Sequence, residues 1–166
     1  PSADKAVLRS AADLVAAGLI PQEQSAMAAD VARQFAIGLS RPLAALINPD
    51  DPDDPIARQF LPDAAEFIVL PEERGDPIGD IARSPIEGLV HRYPDRVLLK
   101  LIHVCPVYCR FCFRREMVGP GQAAQLSAEA LDAAFGYIAQ HPDIFEVILT
   151  GGDPFLVSPR RLGEVV

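Results

Sequence analysis

Residues 97–112, VLLKLIHVCPVYCRFC, decide how the rest of this 166-residue chain is interpreted. The first half, Val97–Val104, is a nearly continuous apolar run with the length and character of a buried parallel strand. The second half, residues 105–112, contains all three cysteines of the protein. The sequence therefore predicts a buried strand whose carboxyl end leads directly into a cysteine loop.

The three cysteines, Cys105, Cys109 and Cys112, form a Cys-x3-Cys-x2-Cys pattern. A closed tetrahedral zinc or iron–sulfur site takes four ligands from the protein, so three thiolates leave one position open. A [4Fe–4S] cluster held by three cysteines has one iron free to bind a small molecule. We interpret the three cysteines as ligands of such a cluster.

Other roles for the cysteines are weaker. A disulfide is disfavoured because three is an odd number and the cysteines are too close together to close a useful loop. Simple burial in a core is common for cysteine, but not for three within eight residues among arginines. A Cys3His zinc site that includes His103 stays open as the second hypothesis, although zinc sites usually take ligands from two separate short pairs.

The composition is that of a globular protein. Hydrophobic residues make up 49% of the chain and charged residues 23%, a balance that can bury a core. The formal net charge of −8 argues against a nucleic-acid or anionic-membrane partner, because those surfaces select clustered Lys and Arg. The sequence has neither an apolar run long enough for a membrane span nor a secretory signal. We therefore expect a cytoplasmic protein.

The N-terminal part is predicted to be helical. Apolar spacing indicates a first helix over residues 4–17 that stops at Gly18, and a second from about Gln22 to Ile37 capped by Gly38. A short third helix is expected near Pro42. Residues 48–55 alternate Asp with Pro, which predicts an extended, solvated connector, because a residue before proline is pushed out of the helical region.

The rest of the chain alternates arm, strand and helix. Residues 56–80 are broken by Pro and Gly, which is typical of an arm that wraps over other elements. After the cysteine loop, Ser127 is expected to cap a helix reaching Gln140, with Leu131, Phe135 and Ile138 on its inner face. A strand over 145–150 then precedes Gly151-Gly152-Asp153, and another helix starts at Ser158-Pro159. This order predicts a βαβ unit whose loops after the strands carry the chemistry.

Several motifs together resemble the lysine 2,3-aminomutase family of radical S-adenosylmethionine (SAM) enzymes. They are the cysteine pattern with Arg114-Arg115, HRYPDR at residues 91–96, the Asp-Pro connector and Gly151-Gly152-Asp153. The resemblance implies an α/β fold, with an N-terminal helical extension before the first βαβ units of a partial (β/α) radical SAM barrel. It also implies a [4Fe–4S] cluster, SAM and pyridoxal 5′-phosphate as cofactors. We expect residues 1–90 to be the helical region and arm, and residues 91–166 to be a truncated barrel.

The resemblance assigns roles on the SAM side by position. Cys105, Cys109 and Cys112 would hold the cluster. Phe111 occupies the position whose side chain lies near the adenine. Gly151, Gly152 and Asp153 match the segment that contacts the methionine amino group of SAM.

It also assigns roles on the substrate side. Arg92, Tyr93 and Arg96 match positions around pyridoxal phosphate, where guanidinium groups suit phosphate geometry. Arg114 matches the residue that receives the α-carboxylate of the substrate. At least one of Arg110, Arg114 and Arg115 is expected to be only part of a solvated basic edge, with no role in binding. The lysine that forms the pyridoxal imine is expected beyond Val166, so the 166-residue chain by itself is predicted to be inactive.

The expected reaction is an isomerisation that moves an amino group between adjacent carbons of an amino acid. L-Lysine, converted to β-lysine, is the leading substrate, and glutamate is the alternative. Phe111 and Phe113 depart from typical lysine enzymes and favour the branch that makes β-lysine for elongation factor P. The expected partners are a small amino-acid substrate, an electron donor for cluster reduction and, when full length, further copies of the chain in a homo-oligomer.

Overall fold

The computed structural model describes residues 7–115, 117–119 and 123–166, and the chain divides into two compact units. The first unit comprises the chain up to Glu73 together with the segment Pro106–Gly119. The second comprises Arg74–Cys105 and the segment from Pro120 onward. The chain therefore passes from the second unit to the first between Cys105 and Pro106, inside the cysteine loop. The expected boundary at residue 90 stays a prediction.

The first unit contains short helices and a two-stranded antiparallel sheet. Its elements are β1 (Val7–Leu8), α1 (Ala11–Ala16), α2 (Ser25–Gln34), β2 (Leu39–Ser40), α3 (Arg41–Ala44) and α4 (Ala57–Phe60), with 3-10 helices at Gln22–Gln24 and Ala64–Phe67. Strand β1 pairs with β2 in the register Val7 to Ser40 and Leu8 to Leu39. Its buried core includes Leu8, Leu14, Ala28, Leu39 and Phe60.

The first predicted helix starts later than expected. Residues 4–6 lie outside the described chain, and Val7 and Leu8 belong to β1 instead of the helix. The reason is the cap at Ser10, whose hydroxyl accepts a hydrogen bond from the Asp13 N–H at 3.1 Å, while the Asp13 carboxylate accepts from the Ser10 N–H at 2.9 Å. This capping box fixes the start of α1 at Ala11. Gly18, at φ +70°, ends the segment as predicted.

The second predicted helix ends earlier than expected. It begins as a 3-10 turn and ends at Gln34, because Phe35 is extended at φ −128° and ψ 112°. The prediction that Gly38 is its cap is wrong. Gly38 instead lies under the ring of Tyr108, which a Cβ at position 38 would overlap, and its carbonyl accepts from the Tyr108 N–H at 2.7 Å. A glycine is needed there for close packing.

The Asp-Pro connector is non-helical, as predicted, but it is not wholly solvated. Asp54 is 7% exposed. Its carboxylate accepts hydrogen bonds from the N–H groups of Ala57 at 2.7 Å, Ile56 at 2.9 Å and Asn48 at 3.1 Å. One buried carboxylate thus shapes both ends of the turn segment that precedes α4.

The second unit is built around a three-stranded sheet. Its elements are β3 (Leu89–Tyr93), β4 (Arg96–Ile102), α5 (Ala128–Ala139), β5 (Glu146–Gly151) and α6 (Pro159–Val165), with 3-10 helices at Ile81–Arg83 and Pro154–Leu156. The strand order is β3-β4-β5, and β4 and β5 are parallel. The parallel β4-α5-β5 arrangement confirms the predicted strand–helix–strand order. Strand β3, which sequence reasoning did not predict, pairs antiparallel with β4.

Strand β4 is the centre of this unit's core. Its apolar residues Val97, Leu99, Leu101 and Ile102 are at most 1% exposed, and their burial is the main apolar stabilisation of the sheet. Helix α5 begins after the predicted Ser127 cap and buries Ala130, Leu131 and Ala134. The prediction that Phe135 lies on the inner face is wrong, since that ring is 36% exposed. The buried face carries two alanines beside Leu131 instead, and the small alanines allow a close approach.

No helix among the described residues is both long enough and apolar enough to cross a membrane.

Candidate functional site

The glycine pair after β5 lies against the end of the strand that leads to the first cysteine. The Gly152 N–H donates to the Ile102 carbonyl at 2.6 Å, and the Asp153 N–H donates to the Val104 carbonyl at 3.0 Å. Gly151 has φ +107°. A Cβ at Gly151 would overlap the Ile102 carbonyl oxygen, and one at Gly152 would overlap the Val104 carbonyl oxygen. The glycines are therefore required by close backbone packing beside the root of the cysteine loop.

Asp153 has a local structural partner. Its carboxylate accepts a hydrogen bond from the Phe155 N–H at 3.0 Å and caps the 3-10 helix that follows. The Phe155 ring is 90% exposed. A role of Asp153 toward the amino group of SAM stays a prediction.

Two of the three cysteines lie in a single turn of the first unit. The Cys112 N–H donates to the Cys109 carbonyl at 3.1 Å, and the Arg115 N–H donates to the Cys112 carbonyl at 3.2 Å. Burial raises the pKa of the Cys109 thiol, and the negative charge of a Cys112 thiolate raises it further. The Cys109 and Cys112 thiols thus lie in one turn, where thiolates could bind one soft metal centre.

The donor set fits an iron–sulfur cluster by its chemistry. None of the three cysteines is in a disulfide, and thiolates are the ligands that hold such clusters. Within the described part of the chain, no three His, Cys, Asp or Glu side chains form a ready-made metal site. The fit therefore rests on the three thiols, their spacing and the Cys109–Cys112 turn.

The turn is anchored through Arg110, which lies between its two cysteines. The Arg110 guanidinium donates to the Glu66 carboxylate at 3.0 Å from Nε and 2.6 Å from Nη2, and to the Ala36 carbonyl at 2.8 Å from Nη1. Its backbone N–H donates to the Gln59 carbonyl at 2.7 Å. Arg110 is thus a buried anchor of the loop and not part of a solvated edge.

Sequence reasoning did not identify Glu66. The only local signal is that Glu66 follows Asp63 by three residues, the spacing of a capping box, and the structure does contain that box at Ala64–Phe67. The same carboxylate that accepts from the Asp63 N–H at 3.1 Å also binds Arg110. The Glu66 side chain therefore caps a local 3-10 helix and also forms a long-range ion pair with Arg110.

The other arginines of the loop contact aromatic rings. The Arg115 guanidinium lies 3.9 Å from the centre of the Phe35 ring and 3.6 Å from the Glu66 carboxylate. The Arg114 guanidinium lies 4.5 Å from the centre of the Phe113 ring. Binding of a substrate carboxylate by Arg114 stays a prediction.

Phe111 borders a large cavity of the first unit. The cavity has a volume of about 930 Å³, and its walls include Phe111, Arg115, Glu66 and residues 47–52. The Phe111 ring is 78% exposed. An exposed aromatic ring can pack against a planar ligand group, and its predicted place near an adenine stays a prediction.

The residues predicted to surround pyridoxal phosphate lie at the β3–β4 hairpin. Arg92 donates to the Ile78 carbonyl and, at 3.2 Å, to Asp80. Arg96 pairs with Asp95 at 2.9 Å and with Glu146 at 3.3 Å. These contacts, with Asp95 the larger influence, raise the pKa of Arg96, and Arg96 lowers the pKa of Asp95. Tyr93 is 59% exposed.

An aromatic cluster in the second unit was not predicted. His91 Nδ1 lies 2.8 Å from the Tyr137 hydroxyl. The ring of Tyr137 stacks on His141, with ring centres 3.9 Å apart. His91 is the first residue of HRYPDR, so this motif also ties β3 to α5.

Comparisons with known proteins agree with this arrangement. Residues 95–166 match the family described as "4Fe-4S single cluster domain". The chain is 35% identical over 147 residues to L-lysine 2,3-aminomutase of Clostridium subterminale, which covers 89% of this chain and 35% of that protein. It is 39% identical over 117 residues to the enzyme of that name from Acetoanaerobium sticklandii, covering 70% of this chain and 28% of the relative. The Escherichia coli protein of that name is 34% identical over 144 residues, which covers 86% of this chain and 41% of that protein.

The chain spans between 28% and 41% of the length of these relatives. The domain match supports an iron–sulfur cluster, and the named relatives indicate an isomerase family. The similarity extends beyond the domain match, since it covers up to 89% of the chain. Over the sequence that it shares with these proteins, this chain belongs to the lysine 2,3-aminomutase family of radical SAM enzymes.

Proposed function

We propose that this chain carries the cluster-binding part of a pyridoxal phosphate-dependent radical SAM aminomutase that moves the amino group of L-lysine from carbon 2 to carbon 3. The observation that supports this most is that the cysteine pattern begins three residues after β4, and that the glycine pair after the parallel strand β5 packs against the end of β4. In parallel α/β folds, chemistry collects at this end of the strands. In this proposal the three-stranded sheet is the beginning of a (β/α) barrel.

The cysteine loop and the loop after β5 would hold the cluster and SAM. Cys105, Cys109 and Cys112 would bind the cluster, and Gly151, Gly152 and Asp153 would contact SAM. When bound, the cluster supplies the electron for radical formation from SAM, and pyridoxal phosphate carries the migrating amino group. The protein supplies placement, charge and exclusion of water.

The substrate side would depend on arginines. The side chains of Arg92 and Arg96 are 36% and 40% exposed, so both are accessible to a phosphate from solvent. Guanidinium groups bind phosphates and carboxylates through paired hydrogen bonds. We assign Arg92 and Arg96, with Tyr93, to pyridoxal phosphate and Arg114 to the α-carboxylate of the amino acid.

L-Lysine is proposed as the substrate because the relatives are named L-lysine 2,3-aminomutases. The alternatives are an aminomutase that acts on glutamate and one that makes β-lysine for the modification of elongation factor P. Phe111 and Phe113 are the residues that favour the elongation factor P branch.

The test is an anaerobic turnover assay of the protein expressed from the complete reading frame. L-Lysine and L-glutamate are supplied separately with SAM, pyridoxal phosphate and a reductant, and a Cys109→Ala variant is the control. Formation of β-lysine above that control supports the proposal. Formation of β-glutamate alone reassigns the substrate, and no SAM-dependent product from either amino acid contradicts the proposal.

A further inference from the structure

We infer that Glu66 and Arg110 are positioning residues for the cluster: their buried ion pair holds the Cys109–Cys112 turn and sets the charge beside it. The inference rests on the proposed function, because it requires a cluster on these cysteines. Neither residue is assigned to a ligand or to the reacting atoms.

The Glu66–Arg110 pair has a bidentate geometry. Two parallel hydrogen bonds of 3.0 and 2.6 Å join the Arg110 guanidinium to the Glu66 carboxylate. The two side chains are only 7% and 12% exposed. A bidentate, charge-assisted pair of this kind fixes orientation as well as distance.

The pair ties the cysteine loop to the N-terminal part of the chain. Glu66 and Arg110 are 44 residues apart in sequence. The same guanidinium also binds the Ala36 carbonyl, and the Arg110 backbone N–H binds the Gln59 carbonyl. Three separate segments of the first unit, at Ala36, Gln59 and Glu66, therefore bind Arg110, the residue that directly follows Cys109.

The Glu66 carboxylate faces two guanidinium groups, that of Arg110 and, at 3.6 Å, that of Arg115. Loss of Glu66 therefore adds one positive charge beside the turn, and loss of Arg110 removes one, in a medium that screens charge poorly. Arg110 follows Cys109 directly and precedes Cys112 by two positions. Reduction adds negative charge to a cluster, so a gain of positive charge nearby favours the reduced state and raises the reduction potential, while a loss of positive charge lowers it.

The experiment compares four variants of the anaerobically reconstituted holoprotein. Glu66→Gln and Arg110→Gln each remove one charge, and the double variant removes both. Asp53→Asn is the matched control, because its pair with Arg58 has a similar distance of 2.6 Å but side chains that are 75% and 64% exposed. The readouts are the reduction potential of the cluster, by spectroscopic titration, and the rate of iron release to a chelator.

We expect the potential to rise in Glu66→Gln, to fall in Arg110→Gln and to return close to the parent value in the double variant. Iron release should be about tenfold faster in the single variants, by analogy with the loss of other residues that support metal ligands. Asp53→Asn should match the parent in both measurements. Opposite shifts that cancel are a signature that general destabilisation does not produce.

The outcomes separate the two proposals. A parent protein that holds no [4Fe–4S] cluster contradicts the proposed function. A parent that holds the cluster, with single variants that behave like Asp53→Asn, overturns the positioning role alone. Shifts of the same sign in both single variants also overturn it. If Glu66→Gln does not fold, the double variant is compared with Arg110→Gln. A reduction potential of the double variant that is closer to the parent value than the potential of Arg110→Gln supports the positioning role. A potential that is no closer to the parent value overturns it.

Discussion

The backbone N–H of Gly152 donates to the carbonyl oxygen of Ile102 at 2.6 Å, which ties the loop after β5 to the end of β4. Only two residues, His103 and Val104, separate Ile102 from the first cysteine. This contact, and the bond from the Asp153 N–H to the Val104 carbonyl, extend the parallel pairing past the last residue of β4. The glycine pair is therefore part of the support for the cysteine loop, whatever ligand it also contacts.

Replacing Gly151 by Ala should destabilise the protein by about 1–3 kcal/mol, because φ +107° is strained for any residue with a side chain and the new Cβ would overlap the Ile102 carbonyl. The measurement is urea unfolding of the two proteins. Gly136→Ala is the matched control, since Gly136 is an exposed position within α5 with no atom near the added Cβ. That change should stabilise the helix by about 0.5–1 kcal/mol. Equal effects of the two substitutions would contradict the account of Gly151.

Asp54→Asn should lower the urea midpoint of unfolding at neutral pH, because an amide is a poorer acceptor than a carboxylate for three backbone N–H groups. The exposed Asp50→Asn is the control and should have little effect. Hydrogen bonds from Ala57, then from Asn48 and Ile56, hold the pKa of Asp54 below its ordinary value.

The lowered pKa also predicts a pH dependence. The carboxylate is stabilised in the folded state, so its contribution is complete above the unfolded-state pKa of about 3.9. It should be lost as the pH falls through the lower folded-state pKa. The difference in midpoint between the parent and Asp54→Asn should therefore narrow under acid conditions. A difference that is constant between neutral pH and the acid limit would show that the charge of Asp54 is not involved.

Arg114→Lys should weaken binding of the amino-acid substrate by about tenfold or more, because lysine keeps the charge but lacks the planar fork that pairs with a carboxylate. Cluster content and SAM binding should stay close to those of the parent. The measurements are substrate titration and visible absorbance of the reconstituted enzyme, with Arg160→Lys, at a side chain that is 85% exposed, as the control. Unchanged substrate affinity would remove Arg114 from this role.

The central part of the fold was predictable because its signals are local. The apolar run of β4, the Ser127 and Ser158 caps and the order strand–helix–strand all depend on residues close together in sequence. Strand β3 was missed because it is short, ends next to Pro94 and leaves Arg92 and Tyr93 accessible, so it lacks the pattern of a buried strand.

The anchor of the cysteine loop was not predictable in the same way. The sequence identifies the three cysteines by spacing, but the partner of Arg110 lies 44 residues away in the arm segment. The packing of Tyr108 over Gly38 spans a still longer separation. Such pairings depend on how distant segments meet, and a single sequence has no local pattern that reports them.

The most direct test of the account is anaerobic reconstitution of the protein with iron and sulfide, followed by metal analysis and electron paramagnetic resonance of the reduced sample. The account predicts a brown protein with about four iron atoms per chain, whose visible absorbance bleaches on reduction and whose resonance changes when SAM is added. Cys105→Ala, Cys109→Ala and Cys112→Ala should each abolish that signal. A colourless protein that binds a single zinc, and loses it when His103 is replaced by Ala, would contradict the account.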